Sequence, residues 1–458
     1  MRSGISWTTV FIFFLSLFQA RLSAQSVKLL RFDEDYSILR DSARTPYHRL
    51  KFIPLSRLKN SYLSLGGEVR QEFGGKIDED WIKGQGYNYS LLQRYSIHAE
   101  INVYARLRFF MQLNSALENG SKYGPAPGDE DQLNVQNLFG EFKFLDGAIY
   151  QLGLRLGRQE INYGSGRLLS VRDGNTTRQY FNGAKLMFKT NDFVLDAFLF
   201  SADEVKFGLL DNRTRHQANL WGAYWNIKLQ HENSLDLYYL GINRMHAKFE
   251  QGNQNELRHT LAARYFKNGE SFSYNFEAAY QFGKFGQATI SAWTTAIELG
   301  YSFKDVRFAP SFHLRNDYIS GDKLPGDKKL QTFNPLYPKG GYFGFNPLVG
   351  PSNLIDIHPY LTLGLTGRLT VQGEVAFNWR YSLQDGLYRP SGNFNVPGSG
   401  SAHRYIGTTY LISADYQFNE YLQVSCGGQY FSVGDFIRDI TPHWANSKYF
   451  NVQLALKF

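Results

Sequence analysis

Arginine recurs in this sequence at alternate positions, interleaved with glutamate, and that spacing could bind carboxylates. Between Leu63 and Glu72 the alternate residues are Ser64, Gly66, Glu68, Arg70 and Glu72; between Arg94 and Asn102 they are Arg94, Ser96, His98, Glu100 and Asn102. Arg106, Arg108, Gln112 and Asn114 follow. Arg155, Arg264, Glu277, Glu298, Arg307, His313, Arg315, Glu374, Asn378 and Arg380 extend the set. A guanidinium is a planar fork that grips a carboxylate at two points and stays charged. A ring of such groups on a pore wall favours anions. The same side chains have a second use, as struts paired with Glu68, Glu100, Glu298 or Glu374. For any single Arg both uses stand; for the set, anion selectivity is expected.

One stretch departs from the alternation. Arg155 and Arg158 are three apart, so an unbroken strand would turn them to opposite faces. Gly157 between them permits a bulge, or the strand ends there and Arg158 enters a loop. The segment from Gly157 to Ala184, GRQEINYGSGRLLSVRDGNTTRQYFNGA, carries Arg158, Glu160, Arg167, Arg172, Asp173 and Arg178. A long charged loop in this place is expected to fold into a lumen and narrow it; an exposed outer loop is the alternative.

Enzyme chemistry is not expected. The sequence has no G-x-S-x-G elbow, no H-E-x-x-H and no paired Cys. Gly164-Ser165-Gly166 reads as a turn, and the ten His residues fall at no ligand spacing. Asp129-Glu130-Asp131 could hold Ca²⁺, but a solvated acidic turn is the favoured reading. No cofactor is implied. The lone Cys426 falls on the apolar phase of its strand, as structural filler.

The elements that must position the arginines are strands. The last ten residues, YFNVQLALKF, alternate without a slip: Phe450, Val452, Leu454, Leu456 and Phe458 point one way. Such a strand, ending on an aromatic residue, is an exposed edge in a soluble sheet but the closing stave of a transmembrane barrel. From Ser61 onward about 18 segments of this kind follow, from 61–73 to 446–458, each near the length of a tilted membrane strand. Short turn-rich links (Asp146-Gly147, Asn191-Asp192, Asn268-Gly269) alternate with longer ones, the longest running from Gly321 to Leu354. An all-β fold is expected: a closed antiparallel transmembrane β-barrel with short periplasmic turns and long outer loops over 61–458.

Ahead of it, residues 1–24 read as a secretory signal peptide, with Arg2, an apolar run from Val10 to Phe18 and small residues before Gln25. Residues 25–60 read as a periplasmic lead-in, a short helix or extended arm, with a plug in the pore as the alternative. Aromatics at 16%, with 30 Tyr and 37 Phe, suit lipid-facing strands and interfacial girdles. A mean hydropathy of −0.37 is no objection, because a barrel's lumen and loops are polar. The net charge of +8 favours anionic partners, including lipopolysaccharide and acidic solutes. Nothing points to nucleic acid.

Several stretches together resemble the alginate-export family of outer-membrane porins: RFDEDYSILRD and LKFIPL in the lead-in, YLSLGGEVRQEF at the first strand, and LGRQEINYGSGRLLSVRDG with RQYFNGAKL. The barrel architecture implies a Gram-negative outer membrane and the signal peptide the Sec route; the resemblance implies a monomeric barrel of 18 strands. It implies an Arg-rich constriction that passes an acidic polysaccharide or smaller acidic solutes; the alternatives are a general diffusion porin without anion preference and an enzyme or structural barrel with an occluded lumen. Whether periplasmic export or uptake proteins are partners stays open. The family's motifs carry over Arg70, Arg158, Gln159 and Arg178. Asn182 stands where an Asp is expected before Gly183.

Overall fold

The computed structural model describes residues 27–41 and 45–458; the signal peptide expected at 1–24 lies outside the described residues. The first nine wall strands are β1 Ser61–Ile77, β2 Tyr87–Val103, β3 Leu107–Asn119, β4 Asp131–Asp146, β5 Gln151–Gln159, β6 Phe181–Lys189, β7 Phe193–Glu204, β8 Arg213–Lys228 and β9 Asn233–Phe249. The other nine are β10 Gly252–Asn268, β11 Phe272–Phe285, β12 Ala288–Ser302, β13 Ser311–Ile319, β14 Leu354–Gly364, β15 Leu369–Arg380, β16 Tyr405–Gln417, β17 Leu422–Val433 and β18 Ser447–Lys457. Each pairs antiparallel with its chain neighbours, and β18 pairs with β1, closing an 18-stranded barrel.

The two-residue period decides which side chains face where. On β1, Ser64, Glu68, Arg70 and Glu72 are buried in the lumen while Phe73 faces out. Ile97, Leu199, Phe312 and Ile412, exposed by 62%, 67%, 53% and 61%, belong to the outer apolar belt. Such a belt would drive association in water and matches hydrocarbon in a membrane. Cys426 is exposed on the same outer face, opposite Val452 of the neighbouring strand.

Short connections cluster at one end, at 104–106, 147–150, 190–192, 229–232, 269–271, 365–368 and 418–421. The opposite end carries the long loops 160–180, 320–353 and 381–404. Two arginines assigned to strands by alternation sit instead in turns at the short end. Arg106 follows Tyr104 and Ala105, whose positive φ values of 49° and 59° end the strand. Arg307 precedes Phe308 and Ala309, also left-handed, and Pro310, so β13 begins only at Ser311.

The seam is staggered. β18 covers β1 from Glu68 to Ile77, and Phe458 exchanges backbone hydrogen bonds with Gly67 at 2.8 and 3.0 Å. The closing strand therefore pairs with the Tyr62–Phe73 segment expected from the alternation over Glu68–Phe73, and runs on past it to Ile77. The exposed lower edge of β1 is paired by the lead-in, through Ile53 opposite Leu63 and Pro54 opposite Tyr62.

Two of the long loops fold inward. Ile161, Leu168 and Leu169 of one meet Phe333, Leu336 and Phe343 of the other, against Phe181, Phe198 and Phe200 of the wall. The loops are tied by Ser170 N–H to Tyr337 O and Tyr337 N–H to Leu168 O, both at 2.9 Å. Each large apolar side chain buried this way contributes about 1.5–3 kcal/mol, so the lumen holds a hydrophobic core of its own.

Candidate functional site

Arg70 on β1 and Arg94 on β2 stand opposite each other in the β1–β2 register, and both reach into the 160–180 loop. Arg70 donates to the carbonyls of Asp173 at 2.7 Å and Asn175 at 3.0 Å. Arg94 donates to Thr176 O at 2.9 Å, Asp173 O at 2.8 Å, the Asp173 carboxylate at 2.9 Å and Glu68 at 3.1 Å. Arg178 completes the group, pairing with Glu160 at 2.8 Å and Asp173 at 3.3 Å. Desolvation opposes ionisation of Asp173, but Arg94, Arg178 and Arg70 outweigh it and hold the carboxyl well below the usual range. The inward loop thus docks on three of the expected arginines, which act here as clamps.

Above and below this cluster lie two cavities. At the loop end, a space of about 330 Å³ is lined by Lys76, Glu79, Asn88, Glu118 and Asp129. Burial pushes the Asp129 carboxyl up to about 6, with Lys76 pulling it down. Asp131 instead turns into the wall, accepting from Asn134 at 2.6 Å and Asn212 at 2.7 Å. Among the described residues no group of three His, Cys, Asp or Glu could hold a metal ion.

The turn-end cavity is larger, about 640 Å³. The barrel supplies six cations to it, Arg106, Arg108, Lys143, Arg155, Lys185 and Lys189, against three carboxylates, Glu100, Glu141 and Asp196. Arg155 binds Glu141 at 2.7 Å, Arg108 binds the same oxygen at 2.7 Å, and Lys185 binds Asp196 at 3.1 Å. Glu100 takes its hydrogen bond from Asn102. The rest of the lining comes from Ile161, Asn162 and Tyr163 of the inward loop and from the lead-in, which contributes Lys28, Leu30, Phe32, Asp33, Glu34, Asp35, Ser37 and Arg40.

The lead-in lies inside the barrel mouth. Phe32 sits edge-on to Phe110 and Phe139, with ring centroids 5.6 and 5.1 Å away, and under the Arg155 guanidinium at 4.5 Å. Its carbonyl accepts from Arg108 at 2.6 Å, and Arg178 donates to Leu29 O at 2.8 Å. Helix α1, Pro46–Lys51, capped by Thr45, ends with the Lys51 ammonium buried against Gly66 and His98. A Cβ at Gly66 would stand 2.3 Å from Lys51 Nζ, so only glycine leaves room for it.

Other expected arginines are elsewhere. Register is unbroken through Gly157 (φ 128°), opposite Phe139, so Arg158 falls in phase with the exposed Leu156. Its guanidinium binds Asp203 at 2.5 Å and Asn182 at 3.0 Å, and Gln159 is buried beside it. Arg264 pairs with Asp236 at 3.0 Å. Arg315 lies between Glu298 and the Tyr342 carbonyl, bracing the 320–353 loop. Arg380 is spent on backbone: it donates to Leu383, Gly398, Ser401 and His403 carbonyls and shapes the 381–404 loop.

Residues outside the expected set also matter. Arg167 of the inward loop reaches across to Glu277 and Asp317, and Ser165 donates to Glu277 at 2.6 Å. Lys143, Lys185 and Lys189 face the turn-end cavity. Lys185, Met187 and Lys189 alternate on β6, a pattern the sequence did carry.

A closed antiparallel barrel with an apolar belt, a polar lumen and inward loops defines an outer-membrane channel of porin type. The chain belongs to the alginate export family, whose sequence profile matches residues 61–451. No curated protein matches the sequence. Among solved structures, Acinetobacter baumannii OccAB1 superposes with a TM-score of 0.57 at 11% identity, covering 90% of this chain and 100% of that one. The outer membrane protein OpdK of Pseudomonas aeruginosa gives 0.56 at 10% identity, covering 86% and 98%. P. aeruginosa OccK5 (OpdH) gives 0.55 at 12%, covering 86% and 98%. At these identities the likeness is one of fold.

Proposed function

We propose that this protein is a passive outer-membrane channel for anionic solutes, carboxylated saccharides or smaller acids. The carrying observation is the turn-end cavity, where six barrel cations face three carboxylates. In a narrow, partly desolvated passage an opposite charge at about 4 Å is worth about 4 kcal/mol, against about 1 kcal/mol in bulk water. Carboxylates on Glu100, Glu141 and Asp196 offset part of this, so moderate anion preference is expected. The family's name, alginate export, supports an acidic polysaccharide as one such solute. In this reading the short turns face the periplasm of a Gram-negative cell. The protein works as a monomer among outer-membrane lipid and lipopolysaccharide, without cofactor or catalysis, and export or uptake proteins dock at the turn end.

Reversal potentials in planar bilayers under a salt gradient test the reading. Anion preference, with transient current block by carboxylated oligosaccharides but not by neutral ones, is the expected result. A cation-preferring or non-conducting pore overturns it.

A further inference from the structure

The lead-in is chemically complementary to the wall it covers. Of the charged residues around the turn-end cavity, the barrel contributes six cations and three carboxylates, whereas the lead-in contributes Lys28 and Arg40 against Asp33, Glu34 and Asp35. Glu34 is held by Arg31 within the lead-in at 3.2 Å, while the Phe32 carbonyl accepts from Arg108 of the wall at 2.6 Å, so part of the acceptor set for the wall comes from the chain itself. The Phe32 ring meets a cation of the wall: the Arg155 guanidinium lies against the edge-on Phe32–Phe139 pair, 4.5 and 4.4 Å from the two rings. Arg155 Nη1 is buried there with no hydrogen-bond acceptor in the protein. A carboxylate replacing Phe32 would meet a donor that is otherwise unused.

The seat is also held at a cost. Lys51 is fully buried and its Nζ has no hydrogen-bond partner; the Tyr36 and Tyr47 rings at 4.8 and 5.7 Å and the more distant carboxylates of Glu34 and Glu100 offset its charge in part. Desolvation of that ammonium outweighs the pull of Glu34 and Glu100, so its charged form is disfavoured in the seat. The contacts of Phe32, Arg31 and the Ile53–Pro54 pairing must outweigh this, which leaves the docked state displaceable.

We infer that residues 27–41 are an internal ligand of the solute site: the lead-in occupies the cationic wall as an acidic, aromatic chain, and an acidic solute competes with it for that wall. The inference rests on the anionic-solute reading above. Entry of solute from the turn end and release of the lead-in are then one equilibrium. A solute at ten times its dissociation constant shifts that equilibrium by about tenfold.

The test uses the full chain in detergent and in bilayers, in a Cys426→Ser background with Ser37→Cys as a reporter. Maleimide labelling of the reporter is slow while the lead-in is seated. Saturating oligogalacturonate should accelerate labelling about tenfold, and maltotriose of similar length should not. Phe32→Ala should label fast without solute, conduct more current than the parent with a reversal potential shifted toward stronger anion preference, and keep its heat-modifiable band, which shows that the barrel is closed. Oligogalacturonate that blocks current but leaves labelling unchanged overturns the competition and spares the solute reading. Oligogalacturonate that does neither overturns both.

Discussion

Arg31 Nη2 donates to the main-chain oxygen of Phe458 at 3.0 Å, joining residues 427 positions apart. The same Phe458 holds Gly67 on β1 by two backbone hydrogen bonds. Lead-in, first strand and last residue therefore meet at one point of the seam. That junction, the clamped loop and the cationic cavity each give a measurable consequence.

Deleting Phe458 removes both bonds to Gly67 and the acceptor for Arg31, at about 1 kcal/mol for each hydrogen bond. The folded, heat-modifiable form in outer membranes should fall. Unchanged yield after the deletion would show that the junction adds nothing to closure.

Arg94→Ala should release the 160–180 loop. It leaves Glu68 and the Thr176 carbonyl without their donor and the Asp173 carbonyl with Arg70 alone, a loss of about 3–5 kcal/mol by the measure of broken buried pairs. The channel should open wider, with higher and noisier single-channel conductance. Arg94→Lys should rescue little, because a point charge cannot span the same carbonyls. A quiet pore of parental conductance in both variants would mean the loop is held by its apolar core alone.

Replacing Arg106 and Lys189 together with Gln removes two of the six barrel cations of the turn-end cavity. Anion preference should weaken, read as a reversal potential nearer zero. The same change at Lys328 and Lys329, exposed in the 320–353 loop, should leave it unaltered. Equal shifts in both pairs would locate selectivity in net charge and not in the cavity.

Seating of the lead-in should depend on pH through Lys51. Burial and Arg31 lower its pKa to about 7, against the opposite pull of Glu34 and Glu100, with His98, Tyr36 and Tyr47 packed around it. Between about pH 7 and 10.5 the docked state binds fewer protons than the released one, so docking strengthens with rising pH by up to about 1.4 kcal/mol per unit. Below pH 7 both states carry the proton and the dependence flattens. Protection of the lead-in from protease should thus rise from pH 7 to 9, and Lys51→Met should abolish the rise. A steeper change below pH 7 than above it would assign the effect to another group.

The wall was legible because each of its strands obeys a period of two: Arg70, Arg94 and Arg155 were placed in the lumen by alternation alone. Their partners were not legible. Arg94 meets Thr176 and Asn175, about eighty positions on, through loop backbone that has no period. Arg106 and Arg307 misled for a local reason, left-handed residues that end a strand whose composition still alternates. Arg158, carried by the family's motif, lies on the other phase of its strand, as the three-residue spacing from Arg155 requires. The lead-in docks through scattered contacts, Phe32 in the aromatic cluster, Arg31 on Phe458 and the Leu29 carbonyl on Arg178, which follow no period and so leave no signal to fix its place.

The lower edge of β1 pairs with Ile53 and Pro54, and Arg31 binds an oxygen that arrives only with β18. The first contact is local in the chain, but the Arg31 seat is incomplete until the cylinder has shut. The lead-in is accordingly the last piece to settle, and its order in time is the reverse of its order in the chain: synthesised ahead of every strand, it waits for all of them. Protection of residues 27–41 should follow the appearance of the heat-modifiable band in a refolding time course, never precede it.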